Sequence, residues 1–337
     1  MRQIKRQSGL VLALCVAFIL GLMMDHQPVQ AEQVAYSVMP IYPANQTDAD
    51  LGYYDLKVTP GHRQELELSI QNSSTRPIIV DVTPTTATTN TNGVIDYTGT
   101  KSQRDYSLKA SFTDLISSPQ QVKVPANGSQ TITFNLKTPD EPFRGQILGG
   151  FYITQVPNNQ ADQAIKRKGG ATLTNRYAYV LAAKLTESDE IVRPSLRLRK
   201  IRAGLVNSHP TILVNIQNFK ANAVGKMKVR AEIRKVGSNK ILYQNKRHDL
   251  EMAPNSNFNY GVDLNSHSLT VGRYNILLHV SSNKGHWRLS KDFVMTRKMV
   301  AKYNDQAVEL PRNNNWWLYA IFVVMIAIIL FLIIRLR

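Results

Sequence analysis

Wherever this chain is patterned, the pattern has a period of two. Leu66, Leu68 and Ile70 alternate with Glu65, Glu67 and Ser69, and Ile132, Phe134 and Leu136 alternate with Thr131, Thr133 and Asn135. Met227, Val229, Ala231 and Ile233 alternate with Lys226, Lys228, Arg230, Glu232 and Arg234. Successive side chains of a strand point to opposite faces, so each run reads as a half-buried strand. Turn signals punctuate the runs: Thr59-Pro60-Gly61, Asn92-Gly93, Ala126-Asn127-Gly128, Ala253-Pro254-Asn255 and Val271-Gly272. Between the two ends no segment sustains a 3.6-residue period over a helix length. Short strands at regular spacing predict an all-β chain of two tandem immunoglobulin-like β-sandwich domains. The first is expected over 32–186, closed by a hairpin that pairs Ile147–Val156 with Tyr177–Thr186, and the second over 187–311. Ser69-Ile70-Gln71-Asn72 and Asn215-Ile216-Gln217-Asn218 both end an early strand, an echo too short to establish a duplication.

Both ends break the pattern. Arg2, Lys5 and Arg6 precede an apolar run from Leu10 to Met24. Such a helix spans roughly 22 Å, short of the ~30 Å hydrocarbon core. With Val29-Gln30-Ala31 after it, the segment 1–31 is expected to be a signal peptide, leaving Glu32 as the mature start. Cys15 is the single cysteine and sits within that apolar run, not at its end as a lipid-attachment cysteine would. The mature chain then has no disulfide to lean on and depends on apolar cores. At the other end, 316–334 carries no charge, proline or glycine, and at about 28 Å of helix it is long enough to span. Trp316, Trp317 and Tyr319 lie at its outer edge, as interfacial aromatics do. The expectation is a single-pass transmembrane helix with residues 32–315 extracellular and a cytoplasmic tail, 335–337. A sortase signal would need Leu-Pro-x-Thr-Gly, whereas Leu310-Pro311 is followed by Arg312-Asn313-Asn314.

Charge is distributed unevenly. Residues 32–186 carry 14 basic and 13 acidic groups, but 187–311 carry 21 and 10, so most of the net +17 belongs to the second domain. Lys226, Lys228, Arg230 and Arg234 are expected on one side of one strand, a row of roughly 26 Å. Arg197 and Arg199 are expected to form a shorter row. Either these are solvated faces, or they contact a polyanion such as an anionic wall polymer, anionic lipid or host glycan. An exported chain is not expected to meet nucleic acid.

Chemistry leaves little trace. His62, His209, His248, His267, His279 and His286 show no metal-ligand spacing, and there is no His-Glu-x-x-His, Walker loop or Gly-x-Ser-x-Gly elbow. Ser281-Ser282-Asn283-Lys284 matches Ser-x-x-Lys literally but is expected in a hairpin turn, without a later Lys-Thr-Gly. Asp48-Ala49-Asp50-Leu51-Gly52 resembles the front of a calcium loop, yet Thr59 stands where the terminal Glu belongs. No cofactor or metal is implied. A carboxylate pair could come together only in the fold, so a surface hydrolase stays an open alternative.

Four stretches resemble the WxL-interacting protein family of Gram-positive bacteria, Tyr36–Gln46, Gly52–Gly61, Thr89–Tyr97 and Gly145–Tyr152, and Asn175–Val180 resembles the opening of that family's second module, which implies a family-module boundary near 160, in the last hairpin loop. The order of signal, two β domains, one helix and a basic tail is also similar. The resemblance implies a peptidoglycan-binding first module and a second module that binds a host or partner ligand, in a surface complex with WxL-domain proteins. It implies no catalytic residue. Trp287-Arg288-Leu289 and Trp316-Trp317-Leu318 are W-x-L strings outside the context of a WxL domain.

For the first module, Asn45, Gln46, Tyr53 and Tyr54, with Asn90, Asn92, Asp96 and Tyr97, are the candidate peptidoglycan contacts. Amides and aromatic faces on loops suit a glycan–peptide polymer. Alternatively, Asn92-Gly93 is only a hairpin turn and the tyrosines cap the core. The expected function is a non-enzymatic membrane-anchored adaptor. The alternative to it, besides the hydrolase, is an envelope assembly chaperone that lends a strand to its client.

Overall fold

A computed structural model describes residues 36–99, 103–157, 177–264, 267–307 and 325–326. The signal peptide expected over 1–31 lies outside these residues, as does the helix expected over 316–334 except for 325–326. Among the described residues no helix is long and apolar enough to cross a membrane.

Among the described residues the N-terminal module contains ten strands: β1 (Tyr36–Ile41), β2 (Tyr54–Lys57), β3 (Arg63–Asn72), β4 (Ile78–Thr86), β5 (Thr88–Thr89), β6 (Ile95–Asp96), β7 (Gln120–Val124), β8 (Gly128–Lys137), β9 (Ile147–Gln155) and β10 (Ala178–Thr186). A single-turn helix, α1 (Phe112–Leu115), precedes β7. One sheet runs β1-β3-β8 and a second runs β2-β10-β9-β4-β7. The alternation read from the sequence is the core itself. Leu66, Leu68, Ile70, Phe134 and Leu136 from the first sheet meet Val80, Val82, Phe151, Ile153 and Leu185 from the second, all essentially inaccessible to solvent. At about 25 cal/mol per Å² of apolar surface, each such side chain contributes on the order of 1.5–3 kcal/mol. The β9–β10 hairpin pairs as its sequence predicts, Ala178 opposite Thr154 through Leu185 opposite Ile147.

The C-terminal module holds β11 (Leu196–Val206), β12 (His209–Asn218), β13 (Val224–Lys235), β14 (Ile241–Met252), β15 (Ser256–Asp263), β16 (Gly272–Ser282) and β17 (Gly285–Met295), then α2 (Arg297–Asp305). Its sheets run β11-β12-β15 and β14-β13-β16-β17. The sheet orders repeat those of the other module: β1, β3, β4, β7, β8, β9 and β10 correspond to β11, β12, β13, β14, β15, β16 and β17, and β2, β5 and β6 are additions. The short sequence echo marks the same corner twice. Asn72 Nδ2 donates to the carbonyls of Arg76 and Pro125, and Asn218 Nδ2 to those of Asn222 and Ala253. In each case the following turn holds an asparagine at positive φ, Asn127 or Asn255, whose amide donates back to Ser74 or Lys220.

α2 departs from the all-strand expectation. Thr296 caps it by accepting from the Met299 amide, and Met299, Val300 and Tyr303 pack on the C-terminal core. Three apolar positions among nine residues are too few for a helical period to register in the sequence.

Candidate functional site

The two modules are joined along a polar seam, in which Asn92, Arg197 and Arg199, among the residues singled out by sequence, make contacts. From the N-terminal module, the Thr88–Asp96 hairpin and the loop after it lean on the C-terminal module. Thr89 Oγ1 lies 2.6 Å from Ser256 Oγ and accepts from the Ala253 amide at 3.0 Å. The Glu251 amide donates to the Gly93 carbonyl at 2.6 Å, and Arg247 to the Asn92 carbonyl at 2.8 Å. Gly93, at φ +71°, lies against the side chains of Leu250 and Phe258, where a Cβ would crowd both. Gly145, at φ +86°, sits directly over the Ala221 carbonyl, and the next amide, Gln146, donates to that carbonyl at 2.7 Å. Both positions combine a left-handed backbone with a close approach, which only glycine accommodates. The connecting segment is tied down as well: Glu187 accepts from the Phe143 amide, Asp189 pairs with Lys57, and Glu190 pairs with Arg144.

Asp105 is the hub of the seam. Only 5% exposed, it accepts from the Ser107 amide and hydroxyl, from Gln217 Nε2 at 2.6 Å and from Asn257 Nδ2 at 2.5 Å. Arg199 approaches it at 3.6 Å. Burial alone would raise its carboxyl, but these hydrogen bonds to the charged form outweigh burial and hold it below its ordinary value of 3.8. Above it, the Arg197 guanidinium lies over the rings of Tyr106 and Phe219 at 5.4 and 4.6 Å, and Arg199 lies over Tyr106 at 5.0 Å. Arg197 Nε also donates to Gln217 Oε1. Arg197 and Arg199 are therefore clamps on the Asp105–Tyr106 loop; the sequence left open a solvated face or a polyanion contact for this shorter row. Asp105, Tyr106 and Gln217 were missed by sequence reasoning, since their contacts span about a hundred residues and carry no local signature.

Beside the seam lies a cleft of about 740 Å³, lined by Thr86, Asn90, Asp96, Arg104 and Asp114 on one side and by Asn257 on the other. Its lining mixes hydroxyls, amides and carboxylates with the Arg104 guanidinium and apolar groups of Pro84, Leu108 and Phe258. Of the eight candidate contacts in the N-terminal module, it gathers Asn90 and Asp96. Asn92 and Tyr97 lie nearby: Asn92 gives its carbonyl to Arg247, and burial, then Glu251 and Tyr53, push the Tyr97 phenol up to about 12.

The other four candidates belong to a loop that is largely closed on itself. Asn45 donates to the Lys57 carbonyl and to Gln64 Oε1. Gln46 donates to the Asp48 and Tyr53 carbonyls and accepts from the Asp55 amide. Tyr53 is half-buried against the core. Tyr54 is wholly buried, its ring edge-on to Phe151 and its hydroxyl donating to the Glu67 carbonyl. It is a core residue, so the reading of Tyr54 as a surface contact is corrected; β2 is too short for its alternation to show in the sequence. Asp48 accepts from the Asp50 amide in an ordinary turn.

The long basic row on β13 is interrupted. Lys226 adopts φ +49°, and the register with β14 shifts on both sides of Met227. Glu232, buried between Arg230 and Arg234, pairs with both at 3.2 and 2.7 Å. Lys228 and Arg230 face outward from the sheet. Among the described residues no three His, Cys, Asp or Glu converge as a metal site would require.

Two family models match the chain in tandem. Residues 36–155 match the peptidoglycan binding domain of the WxL Interacting Protein, and residues 168–305 match its host binding domain. The chain belongs to the WxL-interacting protein family. As a WxL-interacting protein it is a cell-surface protein of peptidoglycan- and partner-binding type, as its resemblance implied. The second match begins before β10, although β10 pairs with β9 and β2 in the N-terminal module. No curated protein matches the chain in sequence. Among solved structures it is similar to the YadV chaperone, at 11% identity over 77% of this chain and 100% of that chain, with a TM-score of 0.30. It is also similar to the CupB2 chaperone of Pseudomonas aeruginosa, at 14% identity over 69% and 93%, TM-score 0.24. A third is the CsuC–CsuE chaperone–tip adhesion subunit complex of Acinetobacter baumannii, at 10% identity over 67% and 89%, TM-score 0.31. Likeness at this level carries no argument about what the chain does.

Proposed function

We propose that this WxL-interacting protein is a non-enzymatic adaptor of the cell envelope, built from two immunoglobulin-like modules. The N-terminal module holds peptidoglycan, and the C-terminal module holds a WxL-domain protein or a host ligand. The apolar segment 316–334 anchors it as a single membrane-spanning helix, after a signal peptide has directed 32–315 outward. The tandem family match carries this reading, and the cleft beside the seam supports it. Hydroxyls, amides and carboxylates in its lining suit a polymer of sugars and short peptides, whose own surface is hydroxyls, amides and amines.

The purified full chain is expected to pellet with purified peptidoglycan. Thr91→Trp, placed at the exposed rim of the cleft, is expected to reduce the pelleted fraction without lowering the melting temperature. A wild-type chain that stays in the supernatant would refute the wall-binding half of the proposal.

A further inference from the structure

The outer face of the β14-β13-β16-β17 sheet carries positive charge in a line across the strands, not along one. Register places Lys246 of β14 opposite Arg230 of β13, Arg230 opposite His279 of β16, and His279 opposite Arg288 of β17. All four alternate outward, away from the core. The next row holds Lys228, Ser281 and His286 in the same manner. Strands lie about 4.8 Å apart, so the band is about 14 Å long. The same residues border a shallow depression of about 570 Å³.

Like charges directly opposite one another across strands destabilise a sheet. The acids near this face are already engaged: Glu232 pairs with Arg230 and Arg234, Asp249 bonds His248 at 2.6 Å, and Asp292 accepts from Asn275 at 2.6 Å. Among the described residues, Lys228, Lys246 and Arg288 have no ion-pair partner. The corresponding face of the N-terminal module shows that the topology does not require this. There Asp81 of β4 stands opposite Gln121 of β7 and Thr154 of β9, and Gln121 Nε2 donates to Asp81 at 2.7 Å.

We propose that this face binds a linear phosphodiester polymer with a polyol or sugar backbone. One phosphate per repeat would meet one cationic strand after another, and guanidinium groups match phosphate oxygens in pairs. The band crosses from one edge strand to the other and is open at both ends, so a long chain can run through. The outward positions of these strands carry no Phe, Tyr or Trp. Glu232 holds the Arg230 fork in position, and the exposed Lys246 and Arg288 supply the outer contacts.

The test titrates the purified full chain with a synthetic poly(glycerol phosphate), following binding by calorimetry at several salt concentrations. Affinity is expected to fall steadily as salt rises. K246Q combined with R288Q is expected to weaken binding about tenfold. K123Q, on β7 of the other module, is expected to change nothing. Circular dichroism on each variant confirms folding, and peptidoglycan pelleting measured in parallel is expected to be unaffected. Absence of binding at low salt, an equal loss with K123Q, or equally tight binding of a sulfated glycan of matched charge would each overturn the proposal.

Discussion

The two modules use one strand plan and differ in what they place on it. Facing inward they are close to interchangeable, with apolar layers and an asparagine-braced corner at Asn72 and at Asn218. Facing outward they diverge. The β10-β9-β4-β7 face answers its charge across the strands, Asp81 with Gln121, whereas the β14-β13-β16-β17 face sets Lys246 against Arg230. Folding alone constrains the first set of positions and leaves the second free. The lesson extends to the arginines of the C-terminal module. Arg197 and Arg199 find Tyr106 and Asp105 opposite them and become structural; Arg288 finds His279 and keeps its charge available. What a basic residue does here depends on what faces it.

The largest break in this comparison is expected at the seam. Asp105→Ala strips the shared acceptor from Gln217, Asn257 and Arg199, and losing one partner of a buried charged network typically costs about 3–5 kcal/mol. Urea unfolding of the full chain should then separate into two transitions, where the wild type is expected to unfold in one. Next come the corners. Asn72→Ala and Asn218→Ala each leave buried carbonyls unpaired and should each cost about 2 kcal/mol, with closely matched values if the modules share one architecture. Chemical denaturation of the two variants, fitted module by module, makes that comparison; values differing severalfold would break the equivalence.

A pH series sharpens the seam further. The Asp105 carboxyl is held lower in the folded chain than in the unfolded one. Its contribution is therefore fully present above the ordinary value of 3.8 and disappears as pH falls through the lower folded value. Thermal unfolding followed downward from pH 5 should show this loss in wild type and not in Asp105→Asn. The smallest effects belong to the outer faces. Asp81→Asn forfeits a charge-assisted bond and should destabilise by about 0.5 kcal/mol, whereas Lys246→Gln relieves repulsion and should leave stability unchanged or raise it by a few tenths of a kcal/mol. Differential scanning of the pair reads the opposite signs directly.

Period-two runs such as Leu66–Ile70 and Met227–Ile233 gave their strands and buried faces from sequence alone, because alternation is a local signal. The hairpin of β16 and β17 was legible for the same reason, although Ser281 and Ser282, expected in its turn, end β16 and only Asn283 and Lys284 turn. Tyr54 was not: in a four-residue strand, an aromatic beside polar loop residues has no period to declare its side. Nor could alternation along β13 foresee the bulge at Lys226, which rests on its pairing with β14. The candidate site was half readable. Asn90 and Asp96 do border a cleft, but the far wall, with Asn257, comes from the other module. Two of the stretches that carry the family resemblance, Thr89–Tyr97 and Gly145–Tyr152, contain the seam glycines Gly93 and Gly145. Those motifs spell out how one module seats on the other at least as much as they spell out a ligand.

The tethered connection between the modules has a further consequence. Glu187, Asp189 and Glu190 all contact the N-terminal module, so the connection holds the cleft and the cationic band within one chain at short tether. A cell wall that presents both polymers then meets the second site as an intramolecular event, at an effective concentration set by geometry instead of by diffusion. Weak, readily exchanged contacts at each point would suffice for a long residence on the wall, and avidity would be lost if that short tether were loosened.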